Sequence, residues 1–153
     1  MRKRIRITLY ALLTALMMVI IFFLSEQNGT ESSQTSLWFL NTRFGSLLMQ
    51  MFPSLTGQGP ELDIRKYAHM AEYAALAVPS FLLFRELISA RSPLLSGLVC
   101  IVFSYLYACS DEFHQAFVPG RSSAFSDTLV DLAGTLIGVL PLVTISVLRK
   151  EPK

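Results

Sequence analysis

Residues 66–84 read KYAHMAEYAALAVPSFLLF. The second half of this stretch is apolar enough for hydrocarbon, but the first half carries a lysine, a histidine, a glutamate and two tyrosines. Whether it crosses a bilayer decides the fold, and the rest of the chain supplies the context. With 52% hydrophobic and 16% charged residues in 153, and a positive mean hydropathy, the chain lies far from an average soluble domain. It reads as an integral membrane protein with one domain, 1–153.

Three other apolar runs flank it: IRITLYALLTALMMVIIFFL (Ile5–Leu24), PLLSGLVCIVFSYLYACSDEF (Pro93–Phe113) and DTLVDLAGTLIGVLPLVTISVL (Asp127–Leu148). A span needs about 20 residues at about 1.5 Å each, and residues 66–84 reach nearly as far. The expectation is therefore an all-α, polytopic four-helix membrane bundle with spans near 5–24, 66–84, 93–112 and 127–148. The first run follows a basic MRKR and competes with a signal peptide. It is longer than a usual signal core, and SEQNGTESS offers no small-x-small cleavage site, so a retained anchor fits.

Between the first two spans, Leu37, Leu40, Phe44, Leu47, Leu48, Met51 and Leu55 recur at spacings of three and four. The pattern predicts an amphipathic helix over about 36–53 in the first extracytoplasmic loop, ended by Pro53 and TGQGP. It fits an interfacial helix on the outer membrane surface, or a loop helix capping the bundle.

Charge sets the orientation. Four spans with both ends inside put Arg2, Lys3, Arg4, Arg6, Arg85, Arg91, Arg149, Lys150 and Lys153 in the cytoplasm, nine of the 13 Lys and Arg. Arg43, Arg65, Lys66 and Arg121 stay outside. Of 11 acidic residues only Glu86 and Glu151 fall inside. The expectation is a multi-pass protein of the bacterial cytoplasmic membrane. Cys100 and Cys109 lie about 13 Å apart on one helix, too far to bridge, and match no zinc motif.

The polar residues collect at the outer ends of three spans. At about 100° per residue, Lys66, His69, Glu72 and Tyr73 share an arc of about 120°. Ser104, Tyr107, Asp111, His114 and Gln115 share about 100° of the third span if its helix runs to its polar end, with Glu112 to one side. Asp127 and Asp131 sit one turn apart on the fourth, above a G-x-x-x-G pair, Gly134 and Gly138, that suits close helix packing. Ionisable groups within spans are costly and usually face a bundle interior or a wet cavity, which marks a functional site. Plainer roles are also in view: Asp127 could complement a helix N-terminus with Ser126 as its cap, and Lys66 and Arg65 could snorkel to head groups.

KYAHMAEYAALA followed by SDEFHQAFVPGRSSAFSDTLVDLAGTLIG closely resembles the VanZ-like family of small bacterial membrane proteins, over roughly residues 64–140. The pattern K-x-x-H-x-x-E-Y, then D-E-x-H-Q-x-F-V-P-G-R-x-x-x-x-S-D-x-x-x-D-x-x-G, runs through these two stretches. The resemblance therefore extends to Lys66, His69, Glu72, Tyr73, Asp111, Glu112, His114, Gln115, Arg121, Ser126, Asp127 and Asp131. It implies a membrane protein from a family whose namesake is associated with low-level resistance to teicoplanin, a lipidated glycopeptide antibiotic.

Carboxylates, two imidazoles and fixed cations together suit an anionic substrate at the membrane surface. The leading expectation is an outer-leaflet enzyme acting on a lipid or lipid-linked envelope intermediate through phosphate-ester chemistry. His69, Glu72, Asp111, Glu112, His114 and Asp131 would supply acid–base chemistry, with His69 and Glu72 able to pair at i, i+3. Lys66, Tyr73, Gln115, Arg121 and Ser126 would bind substrate, and Asp111, Asp127 and Asp131 could hold a divalent cation. The alternative is a non-enzymatic binder of lipid head groups or lipidated antibiotic. G-x-S-x-G and the P-S-G-H element of membrane lipid phosphatases are both absent. The polar residues crowd at one end, so a conduction path does not fit, and a nucleic-acid partner is not expected. No motif speaks to oligomeric state.

Overall fold

The computed structural model describes residues 3–88, 92–121 and 124–149. Arg2, Arg91, Lys150, Glu151 and Lys153 of the charge count lie outside those residues. Among the described residues there are six helices and no strand: α1 (Lys3–Ser25), α2 (Gly29–Leu40), α3 (Arg43–Met51), α4 (Pro60–Leu87), α5 (Pro93–Gln115) and α6 (Phe125–Leu148). Three of them, α1, α5 and α6, are long and apolar enough to cross a membrane. The fourth long helix, α4, spans 28 residues and contains the stretch 66–84.

The polarity of the bundle explains that difference. On α5, Leu94, Leu98, Val102 and Leu106 form an exposed stripe at helical spacing, matched by Leu12, Leu16, Val19 and Phe23 on α1. A surface of this kind belongs in lipid, not water. The interior instead buries Ser80, Ser96, Ser104, Thr128, Asp131 and Thr135 among its apolar side chains. Helix α4 is the central element, and its buried set runs from Asp63 to Phe81. Tyr73 and Leu76 pack with Ile21 of α1 and Ala108 of α5, while Ala77 and Phe81 pack with Cys100 of α5 and Val139 of α6. A helix walled in on several sides needs less lipid-compatible surface than its neighbours, so its low hydropathy follows from its position.

Cross-contacts give the directions. Arg6 Nε lies 2.8 Å from Glu86 near one end of the bundle, and Ser25 meets Asp111 at the other. Helices α4 and α6 run parallel, since Lys66 meets Asp127 and Arg85 Nη1 donates to Ser146 Oγ at 2.9 Å. The G-x-x-x-G face makes this contact close. A Cβ on Gly134 would stand 2.1 Å from the Met70 carbonyl oxygen, and one on Gly138 would stand 2.4 Å from that of Ala74. Both distances are below any real contact, so the two backbones touch here because side chains are missing.

The single helix expected over 36–53 is two helices. Helix α2 starts earlier, where Asn28 and Glu31 form a reciprocal capping box. It stops at Leu40, and α3 restarts after Thr42, whose Oγ1 accepts from the Gly45 N–H at 3.0 Å and donates to the Phe39 carbonyl at 2.6 Å. Apolar periodicity continues across Asn41 and Thr42, but a threonine that caps one helix and bonds back to the other breaks the axis.

Gly134→Ala is expected to cost ~2 kcal/mol of stability, because a methyl group has nowhere to go against the Met70 carbonyl. Thermal unfolding in detergent checks this: the variant should melt several degrees lower, while Leu140→Ala on the exposed face should hardly move. Equal melting of wild type and Gly134→Ala would rule out the close backbone approach.

Candidate functional site

The register of α4 on α6 assembles the first part of the site. Lys66 Nζ bonds Asp127 Oδ1, and one turn deeper His69 Nδ1 lies 3.4 Å from Asp131 Oδ1. Asp131 is 1% exposed, and neither His69 Nδ1 nor Asp131 Oδ1 has a hydrogen-bond partner. The 3.4 Å separation exceeds a good hydrogen bond, so the pair is aligned but not closed. With Nδ1 turned toward Asp131, Nε2 is the ring nitrogen left to face the neighbouring cavities.

The second part comes from α1, α5 and the loop before α6. Asp111 Oδ2 accepts from Ser25 Oγ at 2.9 Å and from Gln115 Nε2 at 2.9 Å. Gln115 Oε1 accepts from Arg121 Nη2 at 2.8 Å, and Arg121 Nη1 donates to Ser32 Oγ at 2.9 Å. This chain of bonds ties α1, α2 and α5 to one guanidinium. Burial, and after it the nearby Arg65 cation, lower the Arg121 pKa from its ordinary value. Ser25 and Ser32 belong to no pattern that sequence reasoning could have singled out.

Two cavities meet at these residues. The larger, about 650 Å³, lies between α4, α6 and the turn at 55–58; Arg65, Lys66, His69, Arg121, Ser126 and Asp127 line it. Leu62, Met70, Leu129 and Val130 form its apolar side. The smaller, about 90 Å³, lies on the α1–α2 side and is lined by Ser32, Thr35, Ser36 and Glu72, together with Arg65, His69 and Arg121. Arg65, His69 and Arg121 thus border both.

Several expected roles fall elsewhere. Asp111, Asp127 and Asp131 are each engaged by different partners, and no group of three or more His, Cys, Asp or Glu side chains converges among the described residues. His114 is separated from His69. It bonds Glu26 at 2.8 Å, packs on Phe22 and lines a different cleft of about 870 Å³ with Asn28 and Glu31. Glu112 Oε1 accepts from the Ala124 N–H at 2.6 Å, which ties α5 to the start of α6. His69 pairs with Asp131, and no His69–Glu72 bond forms. Ser126 is not a cap: Ala124 holds that position, and Ser126 Oγ donates to Asp127 Oδ1 at 3.2 Å. Tyr73 is fully buried, and its hydroxyl has no hydrogen-bond partner. The residue that sequence reasoning passed over is Arg65.

The wall of the larger cavity at 55–58 hangs on Asp63, whose Oδ1 accepts from the N–H groups of Leu55 at 3.0 Å and Thr56 at 2.8 Å. The Ser54 hydroxyl, then the Thr56 and Leu55 groups, hold the Asp63 carboxyl below its usual pKa against the opposing effect of burial.

A family model described as VanZ/LLP1 matches residues 10–146. No curated protein and no solved structure matches the chain.

A depressed carboxylate pKa fixes the sign of a pH effect. The stabilisation is complete above the unfolded value of about 3.9 and is lost as pH falls through the folded value. Amide exchange at Leu55 and Thr56, corrected for intrinsic rates, should therefore accelerate below about pH 4, and Asp63→Ala should show the fast rate at every pH. Flat corrected rates in the wild type would remove Asp63 as the anchor of this wall.

Proposed function

The chain belongs to the VanZ/LLP1 family, and on that premise we propose that it acts at the outer leaflet of the bacterial cytoplasmic membrane on a lipid or lipid-linked envelope intermediate bearing a phosphate ester. The carrying observation is the cavity of about 650 Å³ that combines cations, an imidazole and an apolar side. That volume falls within the range of ligand sites, about 300–1,000 Å³. A phosphate head group finds guanidinium donors there, and its chain finds Leu62, Met70 and Leu129.

In this reading α4 is the fourth span. Support comes from its length, its central place among the three apolar helices, and the parallel contact with α6. Both termini lie in the cytoplasm, and the site lies at the outer surface, where the acidic residues collect. Segments α2 and α3 rest on that surface. Their outward residues include Trp38 at 70% exposure, Phe44, Leu47 and Met51, which fit the head-group boundary.

The chemistry follows from the His69–Asp131 pair. An aspartate beside Nδ1 holds the tautomer that leaves Nε2 free to take a proton from an attacking hydroxyl or water. Such contacts are often long before substrate binds and shorten in the complex. Glu72, on the same helix face, stands across the small cavity as a second proton carrier. A protein that only binds head groups or a lipidated antibiotic would use the same cations without needing this pair. The family's association with glycopeptide resistance accommodates either role.

Mass spectrometry of outer-leaflet lipids and lipid-linked wall precursors, in cells with and without the gene, tests the enzymatic reading. A phosphate-bearing species should accumulate in its absence, and neither His69→Gln nor Asp131→Asn should restore the profile. Full restoration by both variants would leave a binding role only. An unchanged profile would do the same.

Trp38 is the single tryptophan of the chain and so reports on the surface segment alone. Lipids brominated near the head group should quench its fluorescence more than lipids brominated deep in the tail. Quenching by aqueous iodide with none by either lipid would lift α2 off the membrane.

A further inference from the structure

The two most prominent cations of the cleft are already engaged: Lys66 is neutralised by Asp127, and Arg121 is held by Gln115 and Ser32. Arg65, adjacent to Lys66, differs from both. It makes no hydrogen bond and no ion pair among the described residues, yet it borders the large cavity and the small one, together with Arg121 and His69. Its charge is felt at Arg121. Two like-charged guanidinium groups facing one space repel each other unless an anion sits between them.

We propose that Arg65 and Arg121 form a two-guanidinium clamp for a phosphoryl group at the junction of the two cavities, with Arg65 as the binding residue that closes on it. This inference rests on the reading of the site given above and assigns its anion-binding pair. Arg121 is the fixed half, oriented through both of its terminal nitrogens. Arg65 is the free half, with its full fork of donors available. A planar guanidinium can bind two oxygens of one phosphate, and a pair of them brackets it.

The small cavity limits what the clamp can take. At about 90 Å³ it is well below the ~300 Å³ at which ligand pockets begin, so it admits a phosphoryl group and excludes a glycerol or sugar. The Ser32 hydroxyl, whose oxygen accepts from Arg121, keeps its own proton free to donate to the phosphoryl oxygens, whereas the hydroxyls of Thr35 and Ser36 are spent on the Glu31 and Ser32 carbonyls. Glu72, also on this cavity, can accept from an oxygen that keeps its proton, as a phosphomonoester with a second pKa near 6 does part of the time. A terminal phosphomonoester fits these limits, whereas a diester carries a substituent on each side of the phosphorus. The anchoring chain or alcohol then lies in the larger cavity beside Met70 and Leu129.

The test uses the full chain in nanodiscs of phosphatidylcholine. Binding is followed by thermal shift and calorimetry with inorganic phosphate added in solution, and with phosphatidic acid or phosphatidylglycerol included in the disc. Phosphatidic acid, a monoester, should raise the melting temperature saturably and phosphatidylglycerol, a diester, should not. Inorganic phosphate alone should bind weakly if the chain contributes, or equally well if the site is for the free ion.

Arg65→Gln should weaken phosphatidic acid binding by about tenfold or more, as expected for loss of a charge-assisted pair, with an unchanged melting temperature in its absence because Arg65 bonds nothing in the free protein. Arg43→Gln, an exposed arginine on α3, should leave binding intact. Wild-type affinity in Arg65→Gln, or an equal loss in Arg43→Gln, would overturn the clamp while leaving the phosphate site in place. Absence of saturable binding in the wild type would instead remove the parent reading.

Discussion

The contact on which the rest of this molecule depends is the one between the backbones of α4 and α6, where Gly134 and Gly138 meet the carbonyls of Met70 and Ala74. At that separation the two helices can hold only one register. Lys66 then falls beside Asp127 and His69 beside Asp131, both pairs lying N-terminal to that contact on their helices. A shift of one residue would rotate each carboxylate by about 100° away from its cation. The glycines supply no chemistry, but they determine which acid meets which base.

The arrangement also accounts for the inverted polarity of the bundle. Leucines and phenylalanines of α1, α5 and α6 face outward, and hydroxyls and carboxylates face in. Such an interior is costly unless its groups are paired or wet. Asp111 is satisfied by Ser25 and Gln115, whereas the hydroxyls of Tyr73, Ser104 and Thr135 and one oxygen of Asp131 have no hydrogen-bond partner. Some of the unsatisfied atoms belong to the His69–Asp131 pair and the turns that follow it, and others, on Thr14 and Arg85, lie elsewhere in the bundle.

Much of this was legible in the sequence, and the limits have physical causes. Helical angles placed Lys66, His69, Glu72 and Tyr73 on one arc and aimed Asp131 at a neighbouring helix, because 3.6-residue periodicity is a local property. The positions of His114 and Glu112 were not legible. Both sit at the end of α5, where the direction of a side chain is set by the loops that pack on it, Glu26 for one and Ala124 for the other. The break between α2 and α3 was hidden because leucine spacing ran through it while one threonine hydroxyl ended one helix and began the next. Arg65 was missed for a different reason. It lies at about 260° on the wheel that starts at Lys66, inside the same arc as Glu72 and His69. A lysine neighbour and a position near the head groups made an interfacial anchor its plainer reading.

The partnership of α4 with α6 has a consequence for how the chain is made. The two ends of the Lys66–Asp127 bond are 61 residues apart, with the whole of α5 between them. At roughly 5–20 residues per second, synthesis leaves α4 without its partner for several seconds. During that interval a helix bearing Lys66, His69 and Glu72 has α1 and then α5 to shield it, meeting α1 through Ile21 and α5 through Ala108 and Cys100. Membrane insertion of this protein is therefore a problem of order. The most polar of the four long helices emerges before the one that neutralises it, and the helices already made must shelter it until the last has been translated.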